Sequence, residues 1–359
     1  MEYVTPIYTD EEVDAAGRII ASQDPTAAEM RRALHVFSNW RASHNYPLNS
    51  IAVTLKGRAS RLSGVKVTPY QRLKRIESVQ RKLQTRPDIT LSMMQDIGGC
   101  RAILENVDDV LKLRDLYIQQ SLTHIFKAQN DYIARPKKDG YRGIHLIYYF
   151  IGVSSNKRAK VYAERKMQVE IQLRTTLQHY WATAVETAET FTKTRLKSQR
   201  DENTTPWRKF FALVSSIFAY TEGCALVPKM TKDIDEIVAQ VTQLEQVHRF
   251  CDTLDAYTAT VEHVTSRDKA KYFLVELDLE TRRVNMKGFR PGESAEAAAA
   301  YTAVEQDPVV APRTNTVLVS VSDVSQLKRA YPNYFLDTTE FVARVREITG
   351  SSTVVHVSS

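Results

Sequence analysis

Between Met167 and Arg174 the apolar residues Val169, Ile171 and Leu173 alternate with Glu170, Gln172 and Arg174. The two-residue period of a strand sends these sets to opposite faces, so a carboxylate, an amide and a guanidinium share one side. Such groups pack poorly unless something charged rests on them. The functional reading is a cleft for an anionic, metal-bound substrate, and the competing one is an amphipathic strand with a solvated polar side. Just upstream, DYIARPKKDGYRGIH (131–145) places Tyr141 after Gly140 in a polar loop and His145 at the head of an apolar run. The loop sets Tyr141 apart from Tyr132 and Tyr148, which read as core. His145 alone also fits a hydrogen-bonded core histidine.

Three other pieces suit the same chemistry. Arg72, Lys74 and Lys82 supply cations on a helix or its entry, suited to a triphosphate and, through the planar guanidinium, an adenine face. A solvated basic face is the alternative. Asp96 lies at a Gly-containing turn, where a carboxylate takes either Mg2+ or local hydrogen bonds. Arg101 opens the strand after it, and a guanidinium in an apolar run is costly unless matched.

Positioning these groups requires a sheet and helices around it. Residues 10–45 have helical stripes such as Met30, Leu34, Phe37 and Trp40, and 51–83 is helical or mixed, with Pro69 interrupting. MQDIGGCRAIL (94–104) reads as a turn into a buried strand, followed by a helix over 107–120. GIHLIYYFIGV (143–153) reads as a strand covered on both faces, and 154–166 as a hairpin or loop. Helices are expected over 175–190, 207–221 and 234–265. From about Arg267 the character changes: FLVELDLETRRVNMKGF (273–289) reads as two strands around a turn, NTVLVSVS (315–322) as a third, and 323–331 and 338–348 as helices.

The totals allow two domains: 359 residues, 43% of them apolar. Cys100, Cys224 and Cys251 show no metal-ligand spacing, which suggests reduced thiols, and no apolar run approaches the roughly 18 residues of a membrane span. A soluble, cytoplasmic protein is expected. The net charge of +7 is uneven, with ten Lys/Arg against the single acid Glu77 between Lys56 and Arg86, a field that favours phosphate-rich partners.

Together RLKR with Lys82, MQDIGGCRAI (94–103), the 131–145 stretch and VEIQLRT (169–175) resemble, in order and spacing, the synthetase domain of the RelA/SpoT family of ATP-dependent pyrophosphokinases. The likeness covers about residues 50 to 190. It implies an α+β fold, a mixed β-sheet flanked by helices. It also implies that Arg72 and Arg101 sandwich the adenine of ATP, Lys74 and Lys82 contact its phosphates, and Asp96 and Glu170 hold Mg2+. Glu170 would help deprotonate the attacking hydroxyl, Tyr141 would stack on the acceptor base, and His145, Gln172 and Arg174 would line the cleft. There is no His-Asp dipeptide for the hydrolase half of long family members, nor a GxxxxGK[ST] loop.

The C-terminal region, FLVELDLETRRVNMKGF followed by YPNY, resembles the antitoxin-like part of CapRel-type fused toxin–antitoxins, in the toxic small alarmone synthetase branch. That resemblance implies a small α+β pseudo-zinc-finger module in which Tyr331 and Tyr334 occlude the ATP site. The region has no Cys and only His356. It also implies transfer of pyrophosphate to the 3′ CCA end of tRNA, antiphage defence, and opening by a phage structural protein such as the major capsid protein. Basic residues at 56–86, 157–166 and Lys193, Arg195, Lys197 and Arg200 would meet RNA phosphates or form a solvated surface. The expected organisation is N-terminal helices (1–50), synthetase core (51–195), helical extension (196–266) and antitoxin-like module (267–359), in a monomer. Two rivals remain: a small alarmone synthetase acting on guanosine or adenosine nucleotides, and a catalytically dead nucleotide- or RNA-binding regulator.

Overall fold

The architecture comes from a computed structural model that describes residues 3–62, 67, 69–119, 124–152, 157–192, 206–257, 260–265, 270–320, 327, 331 and 334–350. Two helices begin the chain, α1 (Asp10–Ala21) and α2 (Ala27–Ser43), each opened by a reciprocal capping box, Thr9 with Glu12 and Thr26 with Glu29. Each box satisfies backbone donors that a helix start otherwise leaves unpaired. Then come α3 (Asn45–Ala59), β1 (Tyr70–Leu73), α4 (Ile76–Thr85), β2 (Gly98–Leu104), α5 (Val107–Gln119), β3 (Ile125–Asp131), β4 (Ile144–Tyr149), α6 (Lys157–Glu164), β5 (Gln168–Thr175) and α7 (Thr176–Thr192). The chain continues through α8 (Pro206–Thr221), α9 (Ile234–His248), α10 (Phe250–Ala256), β6 (Thr260–Thr265), β7 (Tyr272–Asp278), β8 (Arg283–Phe289), α11 (Ser294–Gln306), β9 (Thr314–Ser320) and α12 (Thr339–Gly350). Among the described residues no helix is long and apolar enough to cross a membrane.

The nine strands form one mixed sheet in the order β3-β4-β5-β2-β1-β9-β7-β8-β6. Strand β2 runs parallel to β5, while β1 and β4 are antiparallel to their neighbours. The register aligns two rows across the strands. One runs Val319, Arg72, Gly99, Glu170, Ile147, and the other Tyr70, Arg101, Gln172, His145. Partners in register share a face of the sheet, so the charged groups separated in sequence lie side by side.

The opposite face of β2, β4 and β5 contributes Cys100, Ala102, Leu146, Val169, Ile171 and Leu173 to a core with Leu48 and Leu55 of α3 and Val110 and Leu113 of α5. Each such side chain stabilises the fold by about 1.5–3 kcal/mol when fully buried. A second core joins α7, α8, α9, α10 and α12, with Trp181, Phe210, Phe211, Ile237, Leu254 and Phe341 packed together.

Several expectations need correction. Arg72 sits on β1, and only Lys82 lies on a helix. Arg101 lies in the middle of β2. The expected hairpin or loop at 154–166 contains α6, since KRAKVYAE permits a helix whose buried side carries Ala159 and Tyr162. α3 runs through the boundary placed at residue 50. The expected separate C-terminal module shares the main sheet: β9 pairs with β1 at Gln71↔Ser320 and Arg72↔Val319. Both faces of β7 and β9 are buried, Phe273, Val275 and Val319 on one side and Leu274 and Leu318 on the other. Most of the helix expected at 323–331, and Lys193, Arg195, Lys197 and Arg200, lie outside the described residues.

Candidate active site

A narrow cleft opens over the two rows, lined by Tyr70, Arg72, Asp96, Gly99, Arg101, Glu170, Gln172 and Tyr331. Gly99 stands between Arg72 and Glu170 in register and presents no side chain, which leaves the floor low. The free volume is about 40 Å³, room for a few waters, against roughly 300 Å³ or more for a ligand pocket.

At one end Asp96 takes Lys74 Nζ on Oδ2 at 2.7 Å and Lys82 Nζ on Oδ1 at 2.9 Å. Lys74 follows directly after β1 and its amide donates to Ile97 O, while Lys82 projects from α4, so the turn at 94–97 is clamped from two sides. Burial works to raise the Asp96 pKa, but the two ammonium groups outweigh it and hold the carboxyl far below its usual range. Burial pushes Lys74 down, against the attraction of Asp96.

A continuous chain of polar contacts crosses the rest of the cleft. Arg101 Nε donates to Gln172 Oε1 at 3.3 Å, and Gln172 Nε2 to Glu170 Oε2 at 2.6 Å. The other Glu170 oxygen pairs with His145 Nδ1 at 2.8 Å, and His145 Nε2 meets the Tyr141 hydroxyl at 2.6 Å. That hydroxyl also accepts from Arg174, whose guanidinium lies 4.9 Å from the Tyr141 ring centroid. Desolvation opposes each charge here, yet the pairing wins: Glu170 is lowered by His145, and His145 is raised to about 9 by Tyr141 and Glu170. Tyr141 is lowered to about 7 by Arg174 and His145. His145 is therefore a charged link rather than an inert core imidazole.

The two arginines differ. Burial and the like charges of Arg174 and Arg72 lower Arg101 to about 10. Burial also opposes charge on Arg72, but Glu186, Tyr334, Tyr331 and Glu170 more than compensate and raise it. Tyr331 is 3% exposed and donates its hydroxyl to Gln71 O at 2.5 Å, with its ring edge-on to Tyr70 at 6.1 Å. Tyr334 is fully buried and lies under Arg75, 5.6 Å from guanidinium carbon to ring centroid.

The structure thus brings Arg72, Lys74, Lys82, Asp96, Arg101, Tyr141, His145, Glu170, Gln172 and Arg174 into one connected region, with Tyr331 at its edge and Tyr334 behind it. Tyr141 is 8% exposed, with the Arg174 guanidinium and the Lys137 ammonium each 4.9 Å from its ring centroid. Three residues escaped the sequence reading: Glu186, whose field supports both arginines; Arg75, packed on Tyr334; and Ser215, which holds the Tyr141 loop. An acid set among the small and apolar residues after Trp181 is the available signal for Glu186.

The two carboxylates lining or edging one cleft form a hard oxygen donor set of the kind Mg2+ takes, and lysines stand beside them to meet phosphate. Residues with that composition fit a Mg2+-nucleotide.

Comparison with known proteins agrees in part of the chain. The family model described as the region found in RelA / SpoT proteins matches residues 71–195. The GTP pyrophosphokinase YjbM of Bacillus subtilis (strain 168) is 33% identical over 115 residues, 31% of this chain and 51% of that protein. YwaC, a GTP pyrophosphokinase of the same organism, is 34% identical over 116 residues, covering 31% and 52%. The match therefore spans about half the length of each of these relatives. The crystal structure of small alarmone synthetase 1 from Bacillus subtilis bound to its product pppGpp aligns at 22% identity over 52% of this chain and 93% of that one, with a TM-score of 0.42. Residues 71–195, which carry most of the side chains lining the cleft, match the region found in RelA / SpoT proteins.

Proposed function

We propose that the chain is an ATP pyrophosphokinase held closed by its own C-terminal segment. The observation that carries this reading is the convergence of Asp96, Glu170, Arg72 and Arg101 on one cleft that Tyr331 also lines. In the reaction a 3′-hydroxyl oxygen of the acceptor attacks the β-phosphorus of ATP. The bond between that phosphorus and the α–β bridging oxygen breaks, and AMP departs with the bridging oxygen. Glu170 is placed to take the hydroxyl proton, and His145, to which it is already bonded, would hold the carboxylate in position. Arg72 and Arg101 would hold the adenine between their planes, and Lys74 and Lys82 would exchange Asp96 for phosphate oxygens.

Asp96 and Glu170 would hold Mg2+, which neutralises phosphate charge when bound. With little covalent work for the protein, positioning and charge neutralisation supply most of the rate.

For closure, the buried Tyr331 ring fills space beside both arginines, and its hydroxyl is tied to Gln71, next to Arg72. Two states that compete for the adenine pocket follow from this arrangement. The resemblance of the C-terminal region to CapRel-type fusions supports the tRNA CCA end as acceptor, a role in antiphage defence, and a phage structural protein such as the major capsid protein as the opening partner. Against an extended RNA footprint, Arg58 is buried on Leu116 O, Arg86 pairs with Asp88 and Arg165 with Asp10. The names of the relatives, GTP pyrophosphokinases, favour a guanosine nucleotide as the second reading.

A competition assay separates the two. The full chain carrying Tyr331→Ala is given γ-labelled ATP with tRNA and GDP together. Label in tRNA that is lost on removing the terminal adenosine supports the first reading, and label only in GDP rejects it.

A further inference from the structure

The loop bearing Tyr141 closes on itself locally: Gly140 N donates to Lys137 O at 3.0 Å, Lys137 N to Tyr141 O at 3.3 Å, and Tyr141 N to Asp139 Oδ1 at 2.9 Å. The Tyr141 hydroxyl reaches His145 and Arg174 at the tip of the loop. The loop backbone on either side of Tyr141 is held from α8, beyond the residues matched to the RelA/SpoT region. Ser215 donates its hydroxyl to Gly140 O at 2.6 Å and accepts from Arg142 Nε at 3.1 Å, so one side chain grips the residues on both sides of Tyr141. Ser215 and Arg142 are 2% and 3% exposed, which removes water as a substitute partner.

Packing points the same way. Gly140 has φ +94°, and a Cβ there would stand 2.9 Å from Ser215 Cβ and 3.0 Å from Trp181 Cζ2. The glycine is needed both for its conformation and because the loop lies directly on α7 and α8. Trp181 Nε1 in turn donates to Phe211 O at 2.7 Å, which locks those helices together beneath the loop.

We propose that Ser215 is a positioning residue for the acceptor half of the cleft: by binding the Gly140 carbonyl and the Arg142 guanidinium it sets where Tyr141 stands relative to His145 and Arg174. The role of Tyr141 toward an acceptor rests on the pyrophosphokinase reading, whereas the pinning of the loop does not.

The test uses the full chain with Ser215→Ala and Ser215→Cys, the latter keeping a weak donor and acceptor of similar size, each alone and with Tyr331→Ala. Hydrogen exchange is followed at Gly140–Arg142, and KM is measured separately for ATP and for the acceptor. Ser215→Ala is expected to raise exchange in the loop and acceptor KM by about five- to thirtyfold, the loss expected for a buried hydrogen bond, with ATP KM within twofold. Ser215→Cys recovers part of both. Unchanged exchange, or ATP and acceptor KM rising together, overturns the proposal. If the parent labels no acceptor, the functional reading fails on its own, and the exchange data still decide whether Ser215 pins the loop.

Discussion

Replacing Tyr331 by Ala should convert a closed cleft into an open one, and the size of the effect follows from what the ring does. Its side chain is 3% exposed, packed with Tyr70, Phe273, Val319 and Tyr334, and its hydroxyl is bonded to Gln71 O. Truncating a buried aromatic ring to Ala costs about 3–5 kcal/mol. Taking about 3 kcal/mol as borne by the docked state alone, the closed-to-open ratio falls about a hundredfold, since each 1.4 kcal/mol is a factor of ten. The apparent Kd for ATP is the intrinsic value divided by the fraction of open molecules, so affinity should improve by up to that hundredfold and saturate once most molecules are open. Tyr331→Phe removes only the hydrogen bond, about 1 kcal/mol, and should improve affinity about fivefold. Calorimetric titration with a non-hydrolysable ATP analogue gives the three affinities, and thermal melts confirm folding. The order wild type, Phe, Ala is expected. An Ala variant that is folded and binds the analogue within twofold of wild type refutes the reasoning.

Glu305→Gln would strip the partner from Arg41, paired at 2.6 Å with the two side chains 2% and 8% exposed, and should lower unfolding free energy by about 3–5 kcal/mol in urea titrations. Arg41→Met with Glu305→Leu should cost less, since no buried charge is stranded. Burial holds His44 at about 4, below the 6.5 of an exposed imidazole, despite its bond to Trp40 O. Between those values the unfolded chain binds the extra proton, so stability is complete above about pH 6.5 and falls on acidification, by about 2 kcal/mol at pH 5; His44→Asn should flatten that part of the urea-midpoint profile. Gly140→Ala imposes a left-handed conformation worth about 1–2 kcal/mol and a contact of 2.9 Å, and should raise acceptor KM at least tenfold with ATP binding retained.

The parts of the molecule most legible in the sequence were those written in short periods. VEIQLRT alternates because one face of β5 packs on α3 and α5 while the other carries Glu170 and Gln172. The C-terminal strands were visible from FLVEL and NTVLVS, where both faces are buried. The seam between β1 and β9 was not visible, because pairing Arg72 with Val319 depends on register across a long separation and leaves no local pattern. The same holds for Arg41 with Glu305 and for Ser215 with Gly140, each an ordinary polar residue until the fold supplies its partner. The basic residues that dominate 154–166 suggest a hairpin or loop and mask α6, in which Ala159 and Tyr162 pack inward at helical spacing. The polar loop around Tyr141 is legible in the sequence, whereas the approach of Arg174 to its ring arises from two segments meeting.

The identity of the departing nucleotide tests the central claim most directly. Full-length protein carrying Tyr331→Ala is incubated with Mg2+, ATP labelled at the γ-phosphorus, tRNA and GDP, and the products are resolved by chromatography. The account predicts AMP released in step with labelled acceptor, and neither product when Glu170→Gln is added. Release of ADP or orthophosphate in place of AMP, or unchanged turnover with Glu170→Gln, would contradict it.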